Sequence, residues 1–100
     1  MPIADRAGFA RVVGLARERV AKMTAAAPDW PLPIGIARQL AFVADALDRR
    51  AAPSKADAER IVIGVQAVRN FEDSDEELYG WLTEIDDAFR RWAGRPELYT

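Results

Sequence analysis

Apolar residues recur along the chain at spacings of three and four, about 100° per residue, and nowhere alternate as a half-buried strand would. Four segments with this period are separated by turn residues. The first covers about residues 4–26, with Phe9, Val12, Val13, Ala16, Val20 and Met23 on one side and Arg11, Arg17, Glu18 and Lys22 around the rest. Pro28, Pro31 and Pro33 then predict an extended connector around Trp30, because proline removes a backbone donor and restricts the residue before it. A second helix is expected over about 34–50, with Ile36, Ala37, Leu40, Val43, Ala44 and Leu47 as its buried stripe.

Ser54 after Pro53 reads as an N-cap, and Asp57 in the following turn suits the helix dipole. The third helix is expected over about 55–70, with Ala58, Ile61, Val62, Val65 and Val68 facing the core and Ile63 and Ala67 on the far side. A helix apolar nearly all round is sandwiched between neighbours, which makes this the expected central helix. Gly64 would admit one neighbour closely, at a helix-propensity cost of about 1 kcal/mol. Ser74-Asp75-Glu76-Glu77 has the Ser-x-x-Glu form of a capping box and opens a fourth helix over about 75–93, with Leu78, Leu82, Ile85, Phe89 and Trp92 as its stripe. Gly94 and Pro96 stop it. The expectation is an all-α fold: one domain over 1–100, built as a small antiparallel bundle of about four helices.

Composition narrows the chemistry. The 100 residues contain no histidine and no cysteine, so His-based nucleophile pairs, thiol chemistry, disulfides and the usual zinc sites are excluded. Carboxylates, Lys22, Lys55, Tyr79 and Tyr99 remain as general acids or bases, and their positions converge on no evident cleft. The expectation is therefore no catalytic residue, no metal and no cofactor. Asp5 and Arg6 stand where a secretory signal within Met1–Phe9 would be apolar, and no stretch approaches 18 uncharged apolar residues. That reading is of a cytoplasmic protein without a membrane partner.

The net charge of −2 disfavours nucleic acid, which requires a basic stripe to neutralise phosphates. Its distribution is uneven. Residues 1–50 hold eight basic and five acidic side chains, residues 51–100 six and eleven, and residues 72–87 hold eight acids and no base. Five of those eight have structural explanations: Asp75, Glu76 and Glu77 begin a helix, and Asp86 and Asp87 each precede an arginine by four residues. Asp73, Asp75, Glu77 and Glu84 match calcium-loop positions one, three, five and twelve, but Leu78 occupies the position that needs glycine. Asp73-Ser74 resembles the attachment site of an acyl carrier, but Asp75 follows where such carriers have leucine, and the serine is explained as a cap.

Three aromatic or apolar residues, Trp30, Phe42 and Ile63, are open between core and partner contact. Trp81 lies on the edge of the fourth helix's stripe, with Glu77 four residues before it and Glu84 three after it. It fits equally a core flank and an interface anchor.

The stretch Ile61-Val62-Ile63-Gly64-Val65-Gln66-Ala67-Val68-Arg69-Asn70-Phe71-Glu72-Asp73-Ser74-Asp75-Glu76-Glu77-Leu78 resembles the small helical immunity proteins that neutralise the NAD(P)+-degrading effector of bacterial type VI secretion. Gln39, Leu40, Phe42, Val43 and Leu47 are similar to that family's second helix, so the resemblance spans about 36–90. It implies a non-enzymatic, cytoplasmic protein that binds the cognate toxin's catalytic domain and blocks access of the dinucleotide. A dinucleotide-binding toxin should present a cationic cleft, which an acidic helix edge would steer toward and select. The expected contact residues are Glu72, Asp73, Glu77, Trp81 and Glu84. The alternative is a helical adaptor or dimerisation module without catalysis; self-association stays open under either reading.

Overall fold

The computed structural model describes residues 3–100; Met1 and Pro2, at the head of the segment weighed as a signal sequence, lie outside the described residues. Five helical elements follow in order: α1 Arg6–Ala26, α2 Pro31–Arg49, α3 Lys55–Glu59, α4 Ile63–Asn70 and α5 Glu76–Gly94. Among the described residues there is no strand. Contacts between helix ends establish antiparallel neighbours. Arg6 at the start of α1 donates to the Leu47 carbonyl near the end of α2. Arg19, late in α1, meets Asp75 before α5, and Phe9, early in α1, meets Trp92 late in α5. The all-α bundle expected from the apolar period is therefore present, with α3 and α4 together in the place of the third helix.

The expected stripes of the first, second and fourth segments are buried in their main positions: Phe9, Val13, Ala16 and Val20; Ile36, Leu40, Val43 and Leu47; Leu78, Leu82, Ile85, Phe89 and Trp92. Val12 and Met23 are only half-buried at the core's margin. Trp92 is fully buried, with Phe9, Phe89 and Tyr99 edge-on at centroid separations of 6.3, 6.3 and 6.1 Å. Its indole N–H donates to the Pro96 carbonyl and to Thr100 Oγ1. The C-terminal tail thus folds back over the end of the bundle, and the Tyr99 hydroxyl donates to the Ile3 carbonyl. Tyr99 is a latch between the two ends of the chain.

Several local expectations are corrected. Pro31 and Pro33 do not bar helix; they occupy the first turn of α2, where backbone N–H groups have no intrahelical acceptor and proline loses nothing. The Ser74–Glu77 capping box does not form. Asp75 is the N-cap of α5 and accepts from the Leu78 N–H at 3.1 Å, while the Ser74 hydroxyl turns back to the Asn70 carbonyl at the end of α4. At α3 the expected cap is present and complete: Ser54 Oγ accepts from the Asp57 N–H, and the Asp57 carboxylate accepts from the Ser54 N–H.

The third segment departs most. It breaks between Glu59 and Ile63, and neighbouring helices satisfy the backbone groups that the break releases. Arg90 of α5 donates to the Ile61 carbonyl at 2.8 Å, and the Val62 N–H donates to Gln39 Oε1 of α2 at 2.7 Å. The Gly64 N–H donates to Asp86 Oδ2 of α5 at 2.8 Å. Breaking the helix shifts the phase of everything after it. Ile63 and Ala67 are fully buried, whereas Val62, Val65 and Val68, expected in the core, are 43%, 52% and 48% exposed. Gly64 does allow a close neighbour, since a Cβ there would lie 2.9 Å from an Asp86 oxygen. The central helix is α5, which packs against α1, α3 and α4.

Candidate functional site

The side of α5 that faces α1 carries the residues singled out by charge and aromaticity. Glu77, Trp81 and Glu84 lie one turn apart on α5 and line a shared hollow with Glu76, Gly80 and, from α1, Arg11, Val12 and Leu15. Three of the five expected contact residues are brought together there. Glu72 and Asp73 are exposed in the turn between α4 and α5 and do not line the hollow.

A residue that the sequence reading passed over organises this edge. Arg19 of α1 donates through Nη1 to both carboxylate oxygens of Asp75, each at 2.8 Å, and through Nη2 to Glu77 Oε1 at 3.0 Å. Its guanidinium carbon lies 5.0 Å from the centre of the Trp81 ring, within cation–π range. The hydrogen bonds to Asp75 and then Glu77 push the guanidinium further above its already high ordinary value, against the opposing effect of desolvation. Arg19 therefore stays charged wherever the protein is folded. A planar fork suits this three-way contact, which a lysine could not reproduce.

The consequence for Trp81 is specific. It is half-buried, packed against the core's margin, and one cation already lies over its ring. A signal for Arg19 was present: Arg11, Leu15 and Arg19 fall four residues apart on one line of α1. What that line faces depends on how α1 docks against α5, which spacing along one helix does not contain.

The remaining open residues are placed by the fold. Ile63 is core. Phe42 packs its ring edge-on against Phe89 of α5 at 6.1 Å and carries the Arg60 guanidinium at 4.7 Å, so it is a half-buried contact within the chain. Trp30 is 40% exposed and meets Phe71 edge-on at 6.5 Å.

Of the carboxylates aligned as a calcium loop, Asp75 and Glu77 are committed to Arg19 and Asp75 also caps α5. Among the described residues, no group of three or more acidic side chains is disposed to hold a metal ion. No helix among them is long and apolar enough to cross a membrane.

Comparison with known proteins agrees with the sequence resemblance. The Tsi6 family matches residues 8–91, from the first turn of α1 nearly to the end of α5. Neither the curated proteins nor the solved structures contain a significant match. Tsi6 itself is a type VI secretion immunity protein that neutralises the NAD(P)+ glycohydrolase Tse6. The match takes in nearly all of α1, the whole of α2, α3 and α4, and nearly all of α5, and so includes both walls of the Trp81 hollow; on that ground the chain belongs to the Tsi6 family, as an immunity protein that inhibits a type VI secreted toxin and is not an enzyme.

Proposed function

We propose that this chain acts as a single immunity domain in the cytoplasm of the toxin-producing cell, inhibiting an NAD(P)+-degrading toxin by covering its dinucleotide cleft with the outer edge of α5. The observation that supports this reading is the grouping of Glu77, Trp81 and Glu84 around one hollow on a protein whose family has a toxin partner. Trp81 supplies the apolar anchor, and Arg19 limits its rotamers before binding, which lowers the entropy lost on association. Glu72 and Asp73, exposed at the N-terminal approach to α5, add to the negative field that guides a cationic cleft toward this edge.

Inhibition here consists of filling and covering. The carboxylates meet the cationic groups that would hold the dinucleotide's pyrophosphate, and the bulk of the helix keeps the dinucleotide out.

The test is an NAD+ consumption assay using the catalytic domain of the cognate toxin. Wild-type protein in excess stops NAD+ loss. The triple variant Glu77→Lys, Trp81→Ala, Glu84→Lys, with its helical circular dichroism retained, fails to do so, and Trp81→Ala alone weakens binding by about 2 kcal/mol or more. Full inhibition by the triple variant would reject this edge as the contact. NAD+ loss that continues with excess wild-type protein bound would reject the cleft-covering mechanism.

A further inference from the structure

We infer that the toxin-facing surface continues from the Trp81 edge across the outer ridge of α5 onto the exposed valines of α4, where it seats apolar side chains of the same toxin domain. This rests on the reading that the Trp81 edge meets the toxin, and it adds an apolar half to a charged one.

The observation behind it is the phase shift in the third segment. Val62 at the N-cap, and Val65 and Val68 on the eight-residue helix that follows, stand at about half exposure, three residues apart, and together form an exposed apolar patch. Val65 and Val68 line a hollow with Gly64, Thr83, Asp86, Asp87 and Arg90, on the flank of α5 opposite the Trp81 hollow. The two hollows are neighbours. Gly80 belongs to one and Thr83 to the other, one helical turn apart on the outward side of α5. A partner straddling this ridge enters both.

The charges beside the valines are already matched within the chain. Asp86 is bound to the Gly64 N–H and to Arg90, and Asp87 is paired with Arg91. An apolar occupant there faces neutralised pairs and need not bring a countercharge. The patch covers on the order of a few hundred Å², short of the roughly 800 Å² per partner that a stable association buries. Alone it is too small to hold a second copy of the chain. Joined to the Trp81 edge across Gly80 and Thr83, it adds apolar area to a charged surface, and a specific interface combines the two.

Three proteins test this by binding to the same toxin domain, with circular dichroism and thermal melting as fold controls: Val65→Lys/Val68→Lys, Gly80→Gln, and the edge triple variant. Both valines are exposed, and a Cβ at Gly80 meets nothing within 4 Å, so both changes start from open positions. Gly14 and Gly35 are equally open, so openness assigns nothing; Gly80 is chosen because its side chain would stand on the ridge between the hollows. The valine double variant is expected to bind at least about 30-fold more weakly, as loss of an interface hot spot does, and Gly80→Gln to lose binding while melting no lower than wild type. Wild-type affinity in the valine variant, with binding lost in the edge variant, overturns this inference and leaves the edge reading standing. The reverse result rejects the edge reading and with it the continuous surface inferred from it. A wild-type dimer in sedimentation that the valine variant converts to monomer, with toxin affinity unchanged, also overturns it, because the valines then join two copies.

Discussion

On the α4-facing flank of α5, Asp86 is 8% exposed; one carboxylate oxygen accepts from the Gly64 N–H and the other from Arg90, whose guanidinium continues to the Ile61 carbonyl. On the α1-facing flank, Asp75 and Glu77 hold Arg19, yet the Glu77 side chain is 71% exposed and that of Arg19 32%. Both flanks use a carboxylate and an arginine, but the surroundings separate their roles. Asp86, itself buried, accepts from the Gly64 N–H beyond the break between α3 and α4 and holds Arg90, so removing it leaves both donors without their carboxylate. The Arg19 cluster lies in high dielectric, where an ion pair contributes little stability and serves instead to hold a surface in one shape. The same chemistry acts as scaffold on one side and as presentation on the other.

That contrast predicts a graded series. Asp86→Ala should destabilise most, by about 2–3 kcal/mol, because it strands the Gly64 N–H and leaves Arg90 without its carboxylate; in a chain of this size that lowers the melting temperature by at least about 8 °C. A fall of less than about 1 kcal/mol in urea unfolding would place Asp86 with the exposed pairs. Gly64→Ala comes next, at about 1–2 kcal/mol, since a Cβ would lie within 3.1 Å of Asp86 Cβ and Cγ as well as its oxygen, so more than a flexible tip must move. Melting unchanged from wild type would show that Asp86 can withdraw at no cost.

Arg19→Met, which keeps the stem and deletes the fork, should cost about 1 kcal/mol or less but broaden the Trp81 resonance in a 19F spectrum of fluorotryptophan-labelled protein. A sharp, unshifted line would mean that packing alone holds the indole. The smallest effect is expected for Glu77→Gln, a few tenths of a kcal/mol at low salt and none near 1 M, where the Debye length is about 3 Å. A salt-independent loss would mean that Glu77 contributes by more than charge.

The legible parts of the fold are those in which one helix reports on itself. Spacings of four, three, four and three between Leu78, Leu82, Ile85, Phe89 and Trp92 place all five in the core, and each is fully buried. The family resemblance likewise rests on contiguous residues, and the match over 8–91 bears it out. Of the candidate edge, the α5 members Glu77, Trp81 and Glu84 were readable because helical spacing alone brings them together. Arg19 was not, since its partners lie 56 and 58 residues away. The third helix misled for a related reason. Uninterrupted helical phase across 55–70 assumes intrahelical bonds throughout, whereas Arg90, Gln39 and Asp86 bind the backbone groups at Ile61, Val62 and Gly64. Prolines 31 and 33 were over-read as helix breakers because the cost of proline depends on whether its N–H was needed, and in a first turn it is not.

Sequence by itself determined the all-helical class, the faces of α1, α2 and α5, the absence of histidine and cysteine chemistry, and the family. All of these depend on residue identity and on spacing within one element, where 3.6 residues per turn sets the geometry. Tertiary structure alone decided that the third segment breaks, that its valines turn outward, that Tyr99 reaches the Ile3 carbonyl, and that the Arg19 guanidinium lies over Trp81. Each of these depends on which helices meet, and a side chain from another helix can outbid a local backbone bond only once packing has brought it within about 3 Å.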